Sequence, residues 1–248
     1  IFPKEAIACL VPAFPFGRSQ IAFVLFLARS NFLKIMLWLQ ITAPFATFTN
    51  SRSREYAASF PYPPPATIYG LLLSLVGEPE RSRHRGVKLA IGFLPESPQQ
   101  DISYLPAGGR PQTATVLRTF KRFKKPALDD PANSRPDYQE VLCGLNLVVG
   151  VDESEDRNRL AARIEQILEN PETCDRFGGL SLGESRDLVD DVRILSQLPP
   201  AVRWLVEDAK GEALPTWVDY QGSQATRWEV LTLRASSQPA FCAISPSN

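Results

Sequence analysis

Between residues 37 and 77 the spacing of apolar residues changes from two to about 3.6, which restricts the chain to a fold that mixes strands with helices. Leu37, Leu39 and Ile41 alternate with Trp38, Gln40 and Thr42, the pattern of a strand with one buried face, predicted over 37–43. Three consecutive prolines, Pro63, Pro64 and Pro65, then hold the backbone extended, because each ring fixes its own φ and disfavours helix at the residue before it. Beyond them Ile68, Leu71, Leu72 and Leu75 recur at helical spacing. Thr67 is placed to cap this helix, Gly77 to end it, and Gly70 within it predicts close packing.

The rest of the chain continues the alternation of element types. Val87–Leu94 has the composition of a second strand, with Gly92 marking a bulge. Two long runs, Thr113–Lys125 and Tyr138–Val151, flank a Pro- and Asp-rich stretch and predict an extended hairpin. Asp156–Asn170 carries Leu160, Ala161, Ile164, Ile167 and Leu168 on one side and charges on the other, a helix ended by Pro171. A glycine-punctuated loop, Phe177–Ser185, leads into an apolar-polar run, Leu188–Leu195. Strands are predicted at 201–206, 214–220 and 228–234, the first two joined by a Lys210-Gly211 turn. This order is that of an α+β, ferredoxin-like β-α-β-β-α-β domain with a long protruding hairpin and additional C-terminal strands, one domain over 36–248.

Composition narrows the chemistry. Lys plus Arg and Asp plus Glu number 27 each, so the chain as a whole is not drawn to a polyanion, and any such partner has to be met locally. The four cysteines, Cys9, Cys143, Cys174 and Cys242, lie far apart with no C-x-x-C spacing; a reduced, cytoplasmic chain without a zinc or redox motif is expected. No cofactor is expected either, since the loop at 178–185 lacks G-x-G-x-x-G and a G-K-[ST] ending. The apolar stretch Ile21–Ala28 is too short for the roughly 20 residues that cross a bilayer, so no membrane role is expected. Met36, the only methionine, directly precedes the first strand, and residues 1–35 read as a mis-called or extended N-terminus.

Three segments carry the functional signal. From Ile102 to Leu128 there is no acid, while Arg110, Arg118, Lys121, Arg122, Lys124 and Lys125 make six cations. A strand with Arg118, Phe120, Lys121, Arg122, Phe123, Lys124 and Lys125 has no clean core face; it suits a ribbon that meets phosphates with cations and stacks bases on Phe120 and Phe123. It also suits a solvated edge strand whose lysines discourage aggregation. After the first strand, Ser51, Arg52, Arg54 and Tyr56 offer hydroxyls, guanidinium forks and a ring for a phosphate or a splayed base, although such a loop is also an ordinary surface. The glycine loop, with Gly183 and Ser185, offers backbone N–H groups to a phosphate or is simply a helix-to-strand connection. His84, the sole histidine, stands in Arg81-Ser82-Arg83-His84-Arg85 and is expected to be a solvated loop residue; no nucleophile-base pairing is readable from spacing.

The run Leu37–Phe48 (LWLQITAPFATF) followed by Tyr62–Leu72 (YPPPATIYGLL) resembles the amino-terminal signature of the CRISPR-associated Cas-five family, members of the repeat-associated RNA-binding superfamily. Leu182-Gly183-Glu184-Ser185 is similar to that family's leucine-glycine loop, with an acid where a polar or basic residue is usual. The resemblance spans Met36 to Leu195 and implies a subunit of a type I Cascade complex. Its loops hold the 5′ handle of the crRNA, and its long hairpin, or thumb, at Arg118–Lys125, packs against the first backbone subunit. It also implies the large subunit as a partner and target DNA near the PAM end. Some members cut repeat RNA with a tyrosine, a lysine and a histidine. This chain has no adjacent Lys-His pair, so a structural, non-catalytic role is expected over a metal-independent endoribonuclease or a protein-interaction module without RNA.

Overall fold

One long strand organises the sheet. The computed structural model describes residues 36–50, 57–94, 111–121, 131–222 and 224–246, with the backbone alone for Lys121. Residues 36–248 make one unit, and the expectation for residues 1–35 lies outside the described residues. Strand β4, Ser134–Asp152, is 19 residues long. Its second half, Leu145–Val151, is an almost unbroken apolar, β-branched run, which only a fully enclosed strand satisfies. There it lies between β1, Met36–Ala46, and β2, Lys88–Phe93, antiparallel to both. Its first half pairs instead with β3, Gln112–Lys121, to form the predicted hairpin.

The remaining described strands are β5, Asp191–Ile194, β6, Arg203–Trp217, β7, Arg227–Ala235, and the short β8, Cys242–Ala243. The sheet order is β5-β1-β4-β2-β6-β7, with β3 on β4 and β8 on β2. Residues directly opposite in the ladder share a face, so Leu37, Leu39 and Ile41 of β1 line up with Val151, Val149 and Leu147 of β4 and with Leu89, Ile91 and Phe93 of β2. This face joins the main core with the apolar residues of α1, Pro65–Leu75, and α2, Leu160–Glu169. The opposite face carries Trp38, Gly150, Ala90, Val148, Gly92 and Trp204. Because β5 and β6 stand four places apart, the connection between them has to cross the sheet. Leu195, Leu198 and Val202 pack there against a second, smaller core around Trp38 and Trp204, whose rings are 5.7 Å apart.

Several elements differ from their sequence expectations for local reasons. Helix α1 begins at Pro65, with Pro64 as its N-cap and no side-chain cap, so Thr67 lies inside the helix. A proline at the first position loses nothing, since its missing N–H would have had no helical partner. Gly70 has open space where a Cβ would stand and is not a packing glycine. Gly92 sits in unbroken register opposite Val148 and makes no bulge; a Cβ there would run into the Trp204 ring and Val202. The expected strands at 201–206 and 214–220 are one strand, β6. Leu231 of β7 is opposite both Glu207 and Glu212, so 208–211 protrude as a bulge rather than forming a hairpin turn.

The largest departure is His84, expected in solvent and found fully buried. Its Nδ1 is 2.7 Å from Asp156 Oδ2, and Arg163 Nη1 is 2.9 Å from Nε2. A guanidinium only donates, so Nε2 accepts and Nδ1–H donates to Asp156, which assigns the tautomer from its partners. Asp156 also accepts from the backbone N–H groups of Asn158 and Leu160, satisfying the start of α2, so the predicted Asp156 start of the helix is its capping side chain. Arg163 reaches Glu78 Oε2 at 2.7 Å and the Val76 carbonyl at 3.2 Å, tying α2 to the end of α1. Burial pushes the Glu78 carboxyl up, but Arg163, the Glu80 N–H and Arg83 outweigh this and hold it below the ordinary carboxylate range.

His84→Ala removes the Nδ1–H donor from the enclosed Asp156 and one acceptor from Arg163, and is expected to cost about 2 kcal/mol in urea denaturation. Because the folded Glu78 carboxyl titrates below its unfolded value, its contribution is present above the usual carboxylate range and is lost as pH falls through the folded value. Glu78→Gln should therefore destabilise at pH 7 and converge with the parent protein under acid; equal loss at both ends would contradict this.

Candidate nucleic-acid interface

Three segments far apart in sequence meet at the end of the sheet from which the hairpin leaves. The first is the exit of β1. Thr47–Asn50 turns back along 57–60, with Phe60 N–H donating to Phe48 O at 2.8 Å and Asn50 N–H to Ala58 O at 3.0 Å. Ala57 bridges to Gln139 of β4, and Glu140 N–H donates to Ala57 O at 3.0 Å. Ser51, Arg52, Arg54 and Tyr56 lie outside the described residues, but both flanks of their loop are thereby held beside the base of the hairpin.

The second segment is the hairpin. Along β3, Ala114, Val116, Arg118 and Phe120 are half-buried, while Thr113, Thr115, Leu117 and Thr119 face solvent. The third is the glycine loop, closed by Leu182 N–H to Asp187 O at 2.8 Å and Asp187 N–H to Glu184 O at 2.9 Å. Gly183 adopts φ +95, and the Thr47 carbonyl occupies the space a Cβ would need, so only glycine lets this loop lie against the end of β1.

Arg118 joins all three. Its Nη2 meets Asp187 Oδ1 at 2.8 Å, and its Nη1 donates to Gln139 Oε1 at 3.0 Å and to Thr47 Oγ1 at 3.4 Å. Glu184 Oε2 stands 3.5 Å from the same Nη1. The second oxygen of Asp187 accepts the Thr47 backbone N–H at 2.8 Å. Gln139 Nε2 donates to Glu184 Oε1 at 2.5 Å, and Thr49 Oγ1 to the same oxygen at 3.3 Å. Arg186 lies against Glu184 at 3.0 Å and over the Phe120 ring at 5.5 Å.

Of the residues singled out from sequence, the structure brings Arg118, Phe120 and Gly183 together, with Ser185 exposed on the same loop. It changes the role of the first. Counted among the free cations of a basic arm, Arg118 has a side chain only 15% exposed and two acidic partners, so its charge is spent inside the protein. Phe120 has one ring neighbour already, Arg186. The side chain of Lys121, and Arg122, Phe123, Lys124 and Lys125, lie outside the described residues. Thr47, Gln139, Glu184, Arg186 and Asp187 belong to the site but carried no sequence signal; only the acid at Glu184, in the place of a polar or basic residue, hinted at an internal partner. A recess of ≈ 230 Å³ on this side includes Asn50, Ser59, Thr113, Glu140 and Glu212 in its lining, and among the described residues no cation lines it. Among the described residues no group of three or more His, Cys, Asp or Glu is placed to hold a metal ion, and no helix is long and apolar enough to cross a membrane.

Comparison with known proteins decides the family. A CRISPR-associated protein Cas5 from Myxococcus xanthus (strain DK1622) is 38% identical over 203 residues, covering 79% of this chain and 88% of that protein. The chain belongs to the CRISPR-associated Cas5 family. No protein-family model matches the chain. Among solved structures, a chain of a CRISPR RNA-guided surveillance complex superposes with a TM-score of 0.53 at 13% identity, covering 84% of this chain and 91% of that one. A CRISPR-associated protein crystal structure gives a TM-score of 0.45 at 13% identity, covering 84% and 96%. At that identity the first likeness concerns the fold: a Cas5 chain with a mixed α+β architecture built on an antiparallel sheet.

Asp187→Ala removes the acceptor of Arg118 Nη2 and of the Thr47 N–H. It is expected to cost about 3 kcal/mol, as breaking a largely buried pair does. Hydrogen exchange should quicken at the amides of 112–120 more than at those of 147–151, and uniform acceleration would argue against a local latch.

Proposed function

We propose that this Cas5 chain is a non-catalytic, crRNA-binding subunit of a type I CRISPR effector complex, gripping the 5′ handle of the guide RNA between the loop at 51–56, the glycine loop and the hairpin. The observation that carries this reading is the Arg118 junction, which ties the hairpin to the glycine loop and to Thr47 at the end of β1. Family membership and the fold shared with a surveillance-complex chain support the assignment to such a complex. The hairpin departs from the body as a two-stranded ribbon in which Leu117 and its cross-strand partner Tyr138 are exposed, and this apolar pair supports a contact with the adjacent backbone subunit. The large subunit and target DNA near the PAM end complete the set of partners, and a cytoplasmic location follows from the same reading.

The ferredoxin-like description of the core belongs to this proposal. Its support is that β1 and β4 lie at the centre with β2 and β5 outside them, and that β1-α1-β2 and β4-α2-β5 repeat one connection. A non-catalytic role is supported by His84, the only histidine of the chain, which has both ring nitrogens engaged inside the protein and no surface toward an RNA.

The hairpin cations Lys121, Arg122, Lys124 and Lys125 should supply sequence-tolerant affinity, while the loops at 51–56 and 181–185 read the handle. With about four phosphates met on a single strand, the log–log salt slope of RNA binding is expected near −3. Changing all four cations to Ala should flatten that slope for handle-bearing and scrambled RNA alike and lower incorporation into the assembled complex. Arg52→Ala or Ser185→Ala should instead narrow the preference for the true handle. An unchanged slope in the quadruple variant would place the RNA elsewhere, and metal-independent cleavage of repeat RNA that disappears in His84→Ala would refute the non-catalytic role.

A further inference from the structure

The buried histidine network has an outer side. His84–Asp156 joins two loops, 80–87 ahead of β2 and 153–159 behind β4, and Asn158 adds a hydrogen bond from its side-chain amide to the Arg83 carbonyl. Gly86, at φ +95, lies so close to the Glu155 backbone that any side chain would overlap it. The loops are thus pinned backbone to backbone, and their exposed side chains include Arg83 and Arg85 from one and Arg157 and Arg159 from the other. In sequence these are two short Arg-x-Arg pairs more than 70 residues apart; in the fold they share one surface.

The charges beneath decide whether that surface is basic. Asp156 is enclosed with His84, and Glu78, only 3% exposed, is shared between Arg163 and Arg83. Glu153 is 8% exposed; it accepts the Ala162 N–H at the start of α2 and stands 3.6 Å from Arg159. Glu155 is exposed and held by Lys88 at 2.5 Å. Among the described residues Arg85 and Arg157 have no acidic partner. Two further acids lie here, Glu80, exposed and accepting from Ser82 Oγ at 2.7 Å, and Asp152, half-buried and accepting the Ser154 N–H at 2.8 Å; the others are inward or already paired, and the guanidinium groups are outward. Arg159 is also the one non-glycine with positive φ among the described residues, at +53, so the backbone carries some strain at this corner.

We propose that Arg83, Arg85, Arg157 and Arg159 form a second phosphate-binding surface that takes the backbone of a nucleic acid at the end of the sheet opposite the glycine loop. The two ends are those of β1: its Met36 end pairs with Asp152 beside this patch, and its far end runs into Thr47 beneath Gly183. Eleven extended residues separate them by roughly 35 Å, so the patch meets a different stretch of backbone from the one bound at the glycine loop. Guanidinium groups match phosphate oxygens in forked pairs. The exposed side chains of the patch include no ring to stack a base, so it contacts backbone without reading sequence.

The test uses the full chain with Arg85→Gln and Arg157→Gln together, the two cations whose loss breaks no internal pair, and with Arg85→Lys and Arg157→Lys as the charge-retaining control. Binding is titrated against salt on oligouridine RNA and on a blunt DNA duplex of matched length. If the patch takes single-stranded RNA, the Gln variant should lose about 1.4 from the magnitude of the RNA slope; if it takes duplex, about 1.8 from the duplex slope. The Lys variant should keep the parent slope, and thermal melting should be unchanged in both. Parent slopes on both probes in the Gln variant would overturn the proposal, as would a Lys variant that loses as much as the Gln variant. The hairpin cations remain in place throughout, so failure here is separable from failure of handle binding.

Discussion

The rest of the structure depends on β4 being continuous. One 19-residue strand is the enclosed centre of the sheet at its second half and one arm of the hairpin at its first. A hairpin joined to the body only through loops would sample many orientations. This one is a direct extension of the most buried strand, so its direction is inherited from the core. At the join, Gly144 takes a positive φ of 62, and the β1–β4 register passes from Ala43–Leu145 to Phe45–Cys143 over Pro44, which has no N–H to offer the ladder. The fold therefore holds the described part of the hairpin, β3 and the first half of β4, in a direction set by the core.

Arg118 and Asp187 add the second constraint. A pair in which the acid is 1% exposed gives little net stability, because removing both charges from water costs nearly what their attraction returns. Its consequence is positional. The guanidinium fits only when the hairpin, the end of β1 and the glycine loop are in register, and Asp187 accepts from Thr47 at the same time. The His84–Asp156–Arg163 group does similar work at the other end of the sheet, where it holds two arginine-bearing loops together. In both places a buried polar group fixes segments that are distant in sequence against one another.

Much of the fold was legible because it is written in local periodicity. The alternation at Leu37, Leu39 and Ile41, the helical spacing from Ile68 to Leu75 and the long apolar run before Val151 each depend on residues a few positions apart, and each became the expected element. Boundaries failed where a tertiary partner overrode the local signal. Pro65 started α1 because its missing N–H costs nothing there, and β6 ran on through Lys210-Gly211 because both halves pair with one strand, β7. The glycine loop and the hairpin were recognisable as candidate segments, but nothing in either sequence said that Arg118 would turn inward to Asp187.

The sequence by itself determined the element order, the acid-free arm from Ile102 to Leu128 and the family signature around Leu37–Leu72, all of which are local properties of the chain. Only the tertiary structure decided which charges are spent and which are offered. Arg118, one of six cations in that arm, is consumed by acids from residues 184 and 187, while Arg85 and Arg157, unremarkable in sequence, stand together at a surface. His84 went from an expected solvated loop to complete burial for the same reason. Whether a polar side chain faces water or a partner is set by groups distant in sequence, and the free energy of burying it depends on whether the fold delivers that partner.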